Sequence, residues 1–289
     1  MPIGSSVTFR ILLDVVKHAI YIMDGSRQIS RRIGRNCFRS RNRHPIATPQ
    51  IGVSVEIPSG TQRLEAWIVH PEGVCFGSVL LCHGIGDRIP YWRRVQERLA
   101  KDGICSLVFH YSGYGRSGSS TTPANLANDL VAAYAWLLNQ IPDVPGFVIG
   151  FSLGSGLAAD TVGSLKPPPA GLILCEAFPT LRAAARRMGR ALGFLAVLLP
   201  DIWHTRSQVA RLRIPILIVH STGDTLFPVS MAEEIFAASM QGGGDAELRV
   251  FEAYPHNAPY LWVPEDYWAA IVDFIGRSTK NIAIKRTMQ

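Results

Sequence analysis

Residues 150–154 read Gly-Phe-Ser-Leu-Gly, set between the apolar run Phe147-Val148-Ile149 and the small-residue stretch Ser155-Gly156-Leu157-Ala158-Ala159. A glycine-flanked serine at a strand-to-helix junction is arranged for nucleophilic attack. The turn must be so tight that its central residue is strained and its flanks nearly free of side chain. Gly150 and Gly154 supply that freedom. Ser152 then stands at a helix N-terminus, where backbone N–H groups receive a developing oxyanion. A serine hydroxyl is a weak nucleophile and needs a base, and the base needs an orienting acid. Two downstream segments offer them. Ile214–His220 reads as a buried strand running into Ser221-Thr222-Gly223-Asp224, and Glu247–Glu252 reads as a last strand followed by Ala253-Tyr254-Pro255-His256-Asn257. Ser152, Asp224 and His256 are thus each predicted just past the C-terminal end of a strand. In a parallel sheet those ends share one edge, where such sheets bind ligands.

Other residues compete for these roles. Glu176 also follows a strand-like run and rivals Asp224 as the acid. His83, His110, His204 and His220 rival His256, but none of them follows the last strand. Gly113-Tyr114-Gly115-Arg116-Ser117-Gly118 has the glycine spacing of a dinucleotide-binding turn. It comes after the fourth strand, however, and the next helical pattern opens several residues beyond Gly118, so that helix N-terminus is too far to cradle a pyrophosphate.

The elements that must hold these residues follow from the apolar pattern. Gly52–Ile57 and Leu64–His70 read as an antiparallel pair around Pro58-Ser59-Gly60. Val79–Cys82, Ile104–Phe109, Phe147–Ile149, Leu172–Cys175, Pro215–Val219 and Leu248–Phe251 read as parallel strands, for eight in all. Trp92, Val95 and Leu99 recur on one helical face before Gly103, and Thr122-Pro123 opens a helix reaching about Asn139. The expected fold class is α/β. Between Cys175 and Ile214 lie 38 residues, where a simple crossover needs about 15–20. This insertion, about residues 177–212, reads as a short cap, with the apolar stretch Ala191–Pro200 facing an acyl chain and Arg182, Arg186, Arg187 and Arg190 facing water or an anionic head group.

Upstream, Ser78-Val79-Leu80-Leu81-Cys82 ends in His83-Gly84-Ile85-Gly86-Asp87, which resembles the His-Gly-x oxyanion loop of the α/β-hydrolase superfamily. Phe109–Ser117 is similar to that family's Asp-x-x-Gly-x-Gly-x-Ser loop, with His110 where an aspartate is usual. The likeness runs over roughly residues 51–278. It is greatest to serine hydrolases with a His-Asn pair at the catalytic histidine, a group that includes membrane-associated acyl-thioester hydrolases; Ala258 departs from them where an aspartate is common. The resemblance implies an α/β-hydrolase fold with a mostly parallel sheet and a helical cap. It further implies that the backbone N–H groups of Ile85 and Leu153 hold the oxyanion. Ser152, His256 and Asp224 would then cleave an acyl ester or thioester through an acyl-enzyme, with no metal or organic cofactor. An amidase, an acyltransferase or a non-catalytic scaffold on the same frame are the alternatives.

Charge divides the chain in two. Residues 1–50 hold nine Lys/Arg against Asp14 and Asp24, the entire net excess of +7, while residues 51–289 balance twenty against twenty. Within that arm, Phe9–Met23 has apolar residues at helical spacing opposite Asp14, Lys17, His18 and Tyr21. Arg27, Arg31, Arg32, Arg35, Arg39, Arg41 and Arg43 follow with no acid between them. Two readings fit: an amphipathic helix packed on the body with a solvated basic linker, or a peripheral anchor on anionic membrane. Nucleic acid is disfavoured, because the arm has few interleaved aromatics and the body adds no basic excess. Five cysteines without C-x-x-C spacing argue against a zinc site or disulfide framework and for a reducing, cytoplasmic setting. No signal sequence and no long uncharged apolar run is evident.

Overall fold

The structure, a computed structural model, describes residues 51–188 and 202–287. The basic arm and the apolar cap stretch Ala191–Pro200 lie outside the described residues.

Strands β1 (Val53–Ser59) and β2 (Gln62–Val69) form the expected hairpin, closed by the Ser59–Gln62 pair around Gly60. The remaining strands are β3 (Gly77–Cys82), β4 (Ile104–Phe109), β5 (Gly146–Phe151), β6 (Gly171–Cys175), β7 (Ile216–Ser221) and β8 (Ala246–Phe251). They join one eight-stranded sheet in the order β1-β2-β4-β3-β5-β6-β7-β8. From β4 onward every pairing is parallel; β2 meets β4 antiparallel. The chain runs from β3 out to β4, then back across to β5 on the other side of β3. That reversal leaves a crevice beyond the C-terminal ends of β3 and β5, the place where open α/β sheets take ligands.

The central strands are buried along their whole length and mostly apolar, because both faces are covered. Leu80, Leu107, Val148, Leu172 and Ile218 point to one core, packed by α2 (Pro123–Gln140), α3 (Leu153–Thr161) and α6 (Val229–Gln241). Val79, Leu81, Val108, Ile149, Ile173 and Val219 point to the other, packed by α1 (Arg93–Lys101) and α8 (Glu265–Thr287). In α1 the buried residues include Val95 and Leu99, and Gly103 ends the segment at φ 75°. Helix α2 starts with the Thr122 hydroxyl accepting the Asn125 amide and Pro123 in its first turn, and runs to Gln140. The described parts of the insertion after β6 include two helices, α4 (Leu181–Met188) and α5 (Thr205–Val209). A short helix, α7 (Ala258–Leu261), precedes α8.

Candidate active site

Ser152 joins β5 to α3 with φ 52° and ψ −116°, a left-handed conformation that costs a non-glycine residue on the order of 1–3 kcal/mol. The two flanking glycines have a different role from the one their flexibility suggests. Neither has a positive φ; each is needed for space. A Cβ on Gly150 would meet the Gly154 carbonyl at 2.5 Å, and a Cβ on Gly154 would meet the Cys82 carbonyl at 2.0 Å. Gly154 therefore lets the first turn of α3 press against the chain leaving β3. That contact brings the loop carrying Ile85 beside the helix start carrying Leu153.

Beyond β7, the Asp224 carboxylate is fixed by its own turn. One oxygen accepts the Leu226 and Phe227 amides at 2.8 and 2.9 Å. Its other oxygen faces His256 Nδ1 at 2.7 Å. A nitrogen this close to a carboxylate carries the proton, which leaves Nε2 as an acceptor. Nε2 lies 3.0 Å from Ser152 Oγ. All three residues are buried, and the Phe151 and Phe227 rings flank the imidazole with centroids 5.2 Å away. Burial pushes the Asp224 carboxyl up, but His256, the Phe227 amide and His220 outweigh it and hold the group below its usual range.

The loops that present Asp224 and His256 are tied to each other by a residue the sequence did not flag. The Ser221 hydroxyl accepts both the Gly223 amide at 3.1 Å and the Tyr254 amide at 2.8 Å. Thr222 adds a second tie by accepting the Ala253 amide. A hydroxyl in such a loop has no distinguishing pattern in sequence; only the adjacency of β7 and β8 gives it two partners.

The rival residues fall elsewhere. His220 lies inside β7, wholly buried, with Nε2 2.9 Å from the Phe227 carbonyl. His83 sits at the end of β3 with Nδ1 2.8 Å from the Gly84 carbonyl, and His204 precedes α5. His110 is buried against His83, and burial drives its pKa down, helped by His83, Arg88 and Arg116. With histidine at this position, the carboxylate that anchors the following loop is Asp129 of α2, which accepts the Ser112 amide at 2.7 Å and the Ser59 hydroxyl at 2.8 Å. Glu176 is fully buried beside Asp224, and it is Asp224 that reaches His256. The glycine-rich 113–118 loop closes on itself through a Gly113 amide to Gly118 carbonyl bond, and α2 starts only at Pro123.

A further carboxylate enters the site unannounced. Asp87, in the loop after β3, accepts the Gly84 amide at 2.9 Å and is buried. Burial raises its pKa to about 6, against the lowering effects of the Gly84 amide, Tyr260, Trp92 and His256.

A model of the α/β hydrolase fold matches residues 77–196. An uncharacterised protein of Mycobacterium tuberculosis is 29% identical over 233 residues, covering 75% of this chain and 79% of the relative. The zebrafish (Danio rerio) lysophosphatidylserine lipase ABHD12 is 26% identical over 180 residues, covering 56% of this chain. The chain spans about half of that lipase, 47% of its length. Among solved structures, an esterase of Pyrococcus furiosus superposes with a TM-score of 0.67 at 22% identity, over 78% of this chain and 91% of the esterase. A thermostable carboxyl esterase of Bacillus coagulans gives 0.63 at 15% identity, over 79% and 98%. The matched segment runs from β3 through the Ser152 turn, and together with the sheet order and the strained serine beyond β5 these likenesses show that the chain has an α/β-hydrolase fold.

Proposed function

We propose that this protein is a serine hydrolase cleaving an acyl ester or thioester, with Ser152 as nucleophile, His256 as base and Asp224 as orienting acid. The observation that carries the reading is the continuous relay from Asp224 through His256 Nδ1 and Nε2 to Ser152 Oγ, at 2.7 and 3.0 Å. In the first step Oγ attacks the acyl carbonyl while Nε2 takes its proton; Asp224 stabilises the imidazolium that results. The tetrahedral oxyanion sits against the backbone N–H groups of Ile85 and Leu153. Collapse of this intermediate breaks the bond to the leaving alcohol or thiol, which receives the proton from Nε2. Water then attacks the acyl-enzyme with His256 again as base and releases the acid. The mechanism calls for no metal or organic cofactor. The likeness to esterases and to lysophosphatidylserine lipases supports an ester of a lipid-like acyl group, in keeping with the apolar Ala191–Pro200 stretch in the sequence.

Fluorophosphonate labelling of wild type and Ser152→Ala tests the assignment. Wild type becomes covalently labelled; the variant keeps its fold, is not labelled, and turns over p-nitrophenyl butyrate about 10⁴-fold more slowly or worse. Undiminished labelling of another serine in the variant overturns it.

A further inference from the structure

Glu176 is a wholly buried acid in the site that the proposed mechanism does not use. It follows β6 at φ 47°, a strained conformation for a glutamate. One of its carboxyl oxygens, a carboxylate oxygen of Asp224 and a ring nitrogen of His220 all lie within 4.8 Å of one another. Two carboxylates this close in a dry interior do not both ionise, so one keeps a proton.

The donors around each acid decide which one. Asp224 receives two short backbone N–H bonds and the His256 Nδ1–H. Glu176 has only long contacts, the Ser221 amide at 3.4 Å and the Tyr267 hydroxyl at 3.3 Å. The remaining neighbours add little positive charge. His220 Nε2 is 3.6 Å from Glu176 and 3.8 Å from Asp224, but its hydrogen points to the Phe227 carbonyl at 2.9 Å, and burial keeps the ring neutral. From β6 the neighbour is the buried Cys175 thiol, and from α8 it is Tyr267. The anion is therefore Asp224. Its oxygens are also committed to these donors, which leaves the cluster unsuited to a cation.

Resting on the proposed Ser152–His256–Asp224 reading, we propose that Glu176 is a positioning residue: as a carboxylic acid it shares its proton with Asp224 and holds that carboxylate against His256. The hydrogen bond keeps the cluster at one negative charge. It also fixes the oxygen opposite Nδ1, so that the imidazole stays in the tautomer whose Nε2 accepts from Ser152. Burial pushes the Glu176 pKa well up, and the adjacent Asp224 carboxylate adds to that rise.

The test compares Glu176→Gln, which keeps a donor of nearly the same shape, with Glu176→Met, which fills the space without one. Infrared difference spectra of resting protein at neutral pH are expected to show a protonated-carboxyl carbonyl stretch that Glu176→Gln removes. With p-nitrophenyl butyrate, Glu176→Met is expected to lower kcat by about 10- to 100-fold, the range of one charge-assisted hydrogen bond, with KM little changed. Glu176→Gln is expected to recover most of that loss and to leave the acid limb of the pH profile in place. The absence of the infrared band overturns the proposal. So does an acid limb that moves down by about a unit in Glu176→Gln, the sign of a lost negative charge near His256. Equal kcat losses in the two variants overturn it as well. If Glu176→Met fails to fold, the band and the Glu176→Gln profile still decide. Failure of the underlying reading shows separately, as persistent labelling of Ser152→Ala.

Discussion

Burying a carboxylate near His256 has a thermodynamic signature, and Asp87 carries it. Its raised pKa means that the folded protein holds the protonated form more readily than the unfolded chain does. The stabilisation linked to that proton is complete below the usual carboxylate range and disappears as pH rises through about 6. Asp87→Asn removes the titration yet keeps an oxygen for the Gly84 amide. The melting-temperature difference between variant and wild type is therefore expected to move in the variant's favour from about pH 4 to pH 8. A difference that stays flat over that interval contradicts the assignment. In sequence Asp87 is an ordinary loop acid. Of the side chains that act on it, Trp92 is near in sequence but Tyr260 and His256 come from the far end of the chain, so no local pattern announces it.

At the scale of elements, the site depends on how closely α3 approaches β3. Gly154 and Gly163 both lie in the helical turns after β5, but they face different surroundings. A Cβ on Gly154 would strike the Cys82 carbonyl at 2.0 Å, while one on Gly163 would make ordinary contact with Leu212 at 3.7 Å. Gly154→Ala must push the start of α3 off the chain leaving β3. It is expected to cost on the order of 1–3 kcal/mol in urea denaturation and to reduce turnover, because Leu153 and Ile85 separate together. Gly163→Ala, at an exposed position with no positive φ, is expected to be neutral or slightly stabilising. Equal stability of the two variants speaks against the close-approach explanation for the Gly-x-Ser-x-Gly pattern.

The whole molecule combines a charge-balanced body with an arm that carries the entire net +7. Among the described residues no helix is long and apolar enough to cross a membrane. The two readings of residues 1–50 make opposite predictions for a chain lacking residues 1–45. If the arm packs on the body, truncation exposes apolar surface, the melting temperature falls, and both forms sediment alike with vesicles. If the arm docks on lipid, the truncated form keeps its melting temperature and its rate on small esters. In that case the full chain alone co-sediments with anionic vesicles, less so at high salt, because each arginine near the surface contributes about 1 kcal/mol that screening removes. Vesicle co-sedimentation at low and high salt, beside thermal melts of both forms, separates the two.

What the sequence settled by itself is whatever is encoded by neighbours along the chain. The strand runs, the Thr122-Pro123 helix start and the order Ser152, Asp224, His256 are all local patterns, and the residues that meet in the relay could be named before any coordinates. The reason is physical: a parallel sheet carries the residues that follow its strands to one edge, so reading the strands is enough to place the loops. The tertiary structure decided what depends on distance in space. It showed that Gly150 and Gly154 provide room and that the backbone strain falls on Ser152. It put Asp224 rather than Glu176 against His256, because the turn at Leu226 and Phe227 supplies two amides to one carboxylate and none to the other. It also joined Ser221 to two loops and Tyr267 to Glu176, across 33 and 91 residues of sequence separation. A hydrogen bond between such distant residues leaves no periodicity in a single chain, and only folding brings its two ends together.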